Sequence, residues 1–136
     1  MSPPQELRER TKKFAIRIVR LFQALPKSTE AQVMGKQLLR CGTSVAANYR
    51  AVCRARSKAE FVARMGIVAE EADESVLWLE LLEEISILSH ERLQDILKEA
   101  KELVAIFSTS LKTARSTGRH QGFNYQFTKL PIYQIK

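Results

Sequence analysis

A chain of 136 residues supports one hydrophobic core and is too short for two independent ones. Its formal charge of +7 favours a polyanionic partner such as nucleic acid or an anionic membrane surface. No apolar run approaches the roughly 20 residues of a membrane span, and the start "MSPPQELRERTKKF" has no signal-peptide-like apolar segment, so a soluble, cytoplasmic protein with no membrane partner is expected.

The first element reads from about residue 5 to 25, where Leu7, Phe14, Ile18, Leu21 and Leu25 recur on one helical face ahead of Pro26. Thr29 followed by Gln32 reads as a capping box opening a second helix that runs to about Arg56, with Met34, Leu38, Val45, Tyr49 and Val52 inward. Ser57 followed by Glu60 is another such box and starts a third helix. Its inward set is Phe61, Met65, Val68, Ala72, Leu79 and Leu82, with Trp78, Leu81, Ile85 and Leu88 widening the stripe. Ser89 caps a fourth helix on which Leu93, Leu97, Ala100, Val104, Phe107, Leu111 and Ala114 step by four and three, as in a coiled-coil seam. Four amphipathic helices on short loops close most simply as an all-α, antiparallel up-down-up-down four-helix bundle over residues 1–118. Sheet is excluded before residue 120. Residues 119–136, ending "FNYQFTKLPIYQIK", lack helical period and read as an extended or disordered C-terminal tail that could dock on a neighbouring subunit.

Charge is unevenly spread. Residues 1–56 carry a net +9, 57–92 a net −6 and 93–136 a net +4, so the third helix is acidic and the first two are basic. The basic helices could follow a phosphate backbone, or meet the acidic helix of a second copy in a head-to-tail contact that closes into a ring; both can hold together. The candidate polyanion contacts are Arg50, Arg54 and Arg56 on the second helix and the row Lys13, Arg17 and Arg20 on the first. The bland alternative is a solvated face partly paired with the acidic helix, because no tract of exposed aromatics accompanies the row as single-strand stacking requires. Ser44 and Asn48, one turn apart beside the apolar stripe, read as a structural polar pair hydrogen-bonding between helices.

Acidic ExxE spacing on the third helix, as in Glu71 and Glu74, can hold Mg²⁺ in all-α pyrophosphatases, whereas a di-iron centre needs Glu-x-x-His pairs that the sequence lacks. His90 and His120 have no acid at a suitable spacing. Cys41 and Cys53 have no CxxC or Cys/His ligand spacing and read as free thiols in a reducing cytoplasm. No GxSxG, P-loop, HExxH or zinc spacing occurs. The reading is therefore non-enzymatic, with no cofactor and no metal site.

The run from Ser44 to Leu82 resembles the small bacterial four-helix bundle proteins first known as products of intervening sequences in large-subunit (23S) ribosomal RNA genes. The likeness rests on Ser44 and Asn48, Arg54, the Arg56–Ser57 cap, Glu60–Phe61, and Glu74 with Trp78–Leu79. It extends from about Phe14 to Leu111. The resemblance implies a homopentamer of four-helix protomers around a central funnel. A related branch, the accessory variability proteins of diversity-generating retroelements, implies binding of RNA and DNA and partnership with a reverse transcriptase. Where many members carry Ala-Asn-x-x-Glu-Gly, this chain has Ala47, Asn48, Tyr49, Arg50 and Ala51, which adds positive charge and removes a glycine. The first expectation is an oligomeric bundle binding RNA or DNA without base readout, as an accessory to a nucleic-acid enzyme. The alternatives are a protein-interaction scaffold with no nucleic-acid role and, behind it, a Mg²⁺-dependent pyrophosphatase-like enzyme.

Overall fold

In the computed structural model, which describes residues 1–116, every predicted helix is present: α1 (Pro3–Gln23), α2 (Thr29–Val52), α3 (Lys58–Glu84) and α4 (His90–Ser116). No strand occurs among the described residues. The proposed tail at 119–136 and His120 lie outside them. No described helix is long and apolar enough to cross a membrane.

Local chemistry sets the helix ends. Ser2 opens α1 with a reciprocal capping box: its hydroxyl accepts from the Gln5 N–H, and the Gln5 side chain accepts from the Ser2 N–H at 2.8 Å. The Ser57 hydroxyl accepts from the Glu60 N–H at 3.0 Å and caps α3 as expected. Ser89 does the same for Arg92 at the head of α4, at 3.3 Å.

Two expected boundaries move. The N-cap of α2 is Ser28 rather than Thr29, and the turn is held by the Gln32 side-chain amide donating to the Pro26 carbonyl at 2.8 Å. The same helix ends at Val52, so Arg54 and Arg56 sit in the connection to α3 rather than on the helix. Nothing in "AVCRAR" is a proline or glycine stop. The chain turns there because the capped start of α3 follows at Ser57.

Neighbouring helices in the chain pack on one another, α1 on α2, α2 on α3 and α3 on α4, while α1 and α4 make fewer close approaches. Phe14, Ile18, Leu38, Tyr49, Phe61, Met65, Leu79, Leu82, Leu93, Leu103 and Phe107 are fully buried in one continuous core. Each aliphatic or aromatic side chain of this kind stabilises the fold by about 1.5–3 kcal/mol through burial. The rings of Tyr49 and Phe107 meet in a tilted arrangement with centroids 5.6 Å apart, tying α2 to α4 through the core.

Two details of the expected core differ. On α4 the innermost positions are Leu93, Ile96, Ala100, Leu103, Ile106, Phe107, Ser110 and Ala114, with Leu97, Val104 and Leu111 only packed against its edge. A seam written in strict heptads drifts by about 20° per repeat on a straight helix, and a helix facing two neighbours buries the wider stripe. On α3, Ile85 is the C-cap and is 48% exposed instead of inward.

Candidate nucleic-acid interface

The basic residues of α1 divide between its two flanks. Arg8 and Lys12 lie beside Arg50, from the last turn of α2, around a shallow depression of about 280 Å³ that also includes Glu9. Arg54 joins this group: the half-buried Cys53 thiol between the helices feels the positive charges of Arg8, Arg54 and Arg50. Burial is the larger influence and pushes that thiol up from its ordinary value, so it stays protonated at neutral pH. Arg8, Lys12 and Arg50 thus share one surface, and Arg54 in the adjoining connection adds its charge to the same region. No ion pair to any of them occurs among the described residues.

The other expected row separates from this surface. Arg17 and Arg20 face α4, where they meet Arg92 across a second cleft. Lys13 is exposed on α1. Arg56 is 89% exposed and turned to Glu60: its Nε lies 3.8 Å from the Glu60 carboxylate, which also accepts from the Arg56 backbone N–H at 3.2 Å. Of the six expected contact residues, Arg50 and Arg54 come together, Arg17 and Arg20 form a different site, and Lys13 and Arg56 stand apart. Arg8, Lys12 and Arg92 complete the two clusters and escaped the sequence reading, which grouped residues only by spacing along one helix.

Two further arginines bind helices together. Arg10 on α1 donates from Nε and Nη2 to both oxygens of Glu99 on α4, at 2.9 and 2.6 Å, and from Nη2 to Glu102 at 2.7 Å. Arg40 on α2 pairs with Glu74 and, at 3.4 Å, with Glu71, both on α3. Glu74 also accepts from the Trp78 indole N–H at 3.1 Å.

The sequence model of the family described as 23S rRNA-intervening sequence protein matches residues 5–109. The chain belongs to this family. A crystal structure of a protein with unknown function from the S23 ribosomal protein family, from Bacteroides thetaiotaomicron, is similar with 33% identity and a TM-score of 0.74, covering 80% of this chain and 97% of that one. No curated protein matches the chain.

In this intervening-sequence protein the Ser44–Asn48 pair closes within α2: the Asn48 amide donates to the Ser44 carbonyl at 2.9 Å and to its hydroxyl at 2.8 Å, rather than to another helix. Part of the acidic face of α3 is likewise engaged. Cys41, Glu71 and Glu74 bring ligand atoms within 4.8 Å of one another, but the Arg40 guanidinium covers both carboxylates, so a cation there must displace it. Burial raises the Cys41 thiol above its ordinary value and outweighs the opposing hydrogen bond its sulfur accepts from the Ser75 hydroxyl at 3.2 Å, so the thiolate a soft metal requires is disfavoured. His90, expected to lack an acid, has one: its Nδ1 lies 3.0 Å from Glu83 across the α3–α4 turn. The pair is seven residues apart and invisible to helical spacing, because the connection between α3 and α4 lies between them.

Proposed function

We propose that this member of the 23S rRNA-intervening sequence protein family is a non-enzymatic, cytoplasmic, oligomeric bundle that binds RNA or DNA through its phosphate backbone without reading bases. The observation that carries the reading is the contrast between two sets of arginines. Arg10 and Arg40 are consumed by carboxylates between helices, whereas Arg8, Lys12, Arg50 and Arg54 converge without ion pairs. Long cationic side chains gathered on one surface repel one another, and a polyanion with its released counterions offsets that cost. Lys13 and Arg56 stand outside this cluster, and Arg17 and Arg20 belong to the separate cleft against α4. The protein partner implied by this reading is an enzyme acting on nucleic acid, such as a reverse transcriptase.

The assembly proposed is a cyclic homopentamer of antiparallel up-down-up-down bundles. Support for the topology comes from α1 against α2, where Gly42 meets Ile18 and the earlier Gly35 meets the later Phe22 and Leu25. Support for assembly comes from apolar side chains left in solvent, Val33 at 56% and Leu77 at 48% exposed, and from exposed acids on α3 such as Glu70, Asp73 and Glu84 that complement a basic neighbour. The carboxylates that a Mg²⁺ enzyme needs on α3, Glu71 and Glu74, are held by Arg40, which favours the binding role over catalysis.

Fluorescence anisotropy with two unrelated RNA sequences and a duplex DNA tests the reading, with native mass spectrometry as the assembly control. Comparable affinity for both RNA sequences and weakened binding by an intact Arg50→Ala/Arg54→Ala oligomer are expected. Absence of binding by the wild type would transfer the basic surface to subunit contacts and make the protein an interaction scaffold.

A further inference from the structure

The end of α1 and the start of α4 enclose a cleft of about 290 Å³ in which Arg17, Arg20 and Arg92 stand around an aliphatic floor of Leu21, Leu88 and Ile96. None of the three guanidiniums has an ion-pair or hydrogen-bond partner among the described residues, although Glu91 and Asp95 flank Arg92 on its own helix. The floor changes what these charges can do. Beside buried aliphatic groups the effective dielectric falls, so an anion entering the cleft is attracted more strongly than one on the open face of α1. Arg92 also lies in the first turn of α4, whose positive end adds to the same field.

A convergent site of three guanidiniums differs from a linear row. A phosphodiester within a strand carries one negative charge and offers two free oxygens, which a row of side chains follows one phosphate at a time. A terminal phosphate monoester carries about −1.5 to −2 charges and three acceptor oxygens, and planar guanidinium forks approaching from two helices suit such a group. The competing occupant, the acidic helix of a second copy, fits less well. Its exposed acids Glu70, Asp73 and Glu84 are spread over about 21 Å of α3, whereas the three arginines meet at one cleft. We propose that the α1–α4 cleft binds a terminal phosphate monoester of a nucleotide chain, separately from the backbone contacts of Arg8, Lys12, Arg50 and Arg54.

The test compares one RNA decamer carrying a 5′-phosphate, a 3′-phosphate or hydroxyls at both ends, read by fluorescence anisotropy, with calorimetric titration of AMP against adenosine. Preference for a phosphorylated end over the hydroxyl-ended strand by about tenfold is expected from the added charge-assisted hydrogen bonds, together with binding of AMP and not adenosine. Arg92→Gln and, independently, Arg17→Gln should abolish the preference and the AMP signal while affinity for the hydroxyl-ended strand stays within about twofold. Arg50→Ala/Arg54→Ala should weaken all three strands alike and leave AMP binding intact, so failure of the backbone reading and failure of this one are told apart. Equal affinity for all ends with no AMP binding would overturn the proposal, as would a preference that survives both glutamine substitutions. Dissociation of the oligomer by Arg92→Gln, without any end preference in the wild type, would also overturn it and reassign the cleft to the carboxylates of a second copy.

Discussion

Ser86 follows α3 at φ 60°, the left-handed region, while the Ile87 N–H bonds to the Leu82 carbonyl at 2.9 Å and the Ser86 N–H to the Glu83 carbonyl at 3.0 Å. This is a Schellman ending with a serine where glycine is the unstrained choice. The left-handed conformation costs a residue with a Cβ about 1–2 kcal/mol; part of the gain from glycine is offset by its greater freedom in the unfolded chain. Ser86→Gly is expected to raise unfolding free energy by about 0.5–1 kcal/mol in urea titration, and an unchanged or lowered midpoint would refute the strain. The arginines illustrate the other limit of reading residues singly. Arg40 and Arg50 occur in the same stretch and look equivalent in sequence, yet Arg40 lies against Glu71 and Glu74 while Arg50 lines the same depression as Arg8 and Lys12. What separates them is which neighbouring helix each flank faces, a property of packing rather than of spacing along the chain.

Helices were largely legible because their signals are local: a serine three residues before a glutamate at Ser57, a serine at Ser89, and apolar positions at 3.6-residue period. The end of α2 at Val52 was not, since Ala51 to Arg56 contains no breaker and only the onset of α3 decides the turn. Glycines divide by their surroundings in the same way. A Cβ on Gly42 would lie 2.9 Å from the Ile18 Cγ1 and 3.2 Å from its Cβ, groups that a branched side chain cannot swing away, whereas a Cβ on Gly66 meets nothing within 4 Å. Gly66→Ala should therefore stabilise by about 0.5–1 kcal/mol through helix propensity. Gly42→Ala should lose about 1–2 kcal/mol net, because overpacking against Ile18 outweighs the same propensity gain. Thermal unfolding of the two variants side by side checks the pair, and equal shifts of one sign would mean that α1 does not approach α2 as closely as described.

At the scale of the whole molecule, segment charges of +9, −6 and +4 pointed to a basic side and an acidic helix. The structure refines that polarity. Glu71 and Glu74 are held by Arg40 and Glu60 by Arg56, while Glu70, Asp73 and Glu84 stay exposed without ion pairs among the described residues, and the unpaired positive charge lies on α1, the end of α2 and the head of α4. Net charge by segment could not reveal this, because compensation depends on contacts between residues such as Arg10 and Glu99 that are far apart in the chain. The central claim is that Arg8, Lys12, Arg50 and Arg54 contact phosphates. Its most direct test is the slope of log affinity against log salt for wild type and for an assembled Arg50→Ala/Arg54→Ala variant. Each lost contact should flatten the slope by about 0.9 for duplex DNA or about 0.7 for a single strand, and by more where one ligand spans several copies. A variant that binds with the wild-type slope would contradict phosphate contact by these arginines.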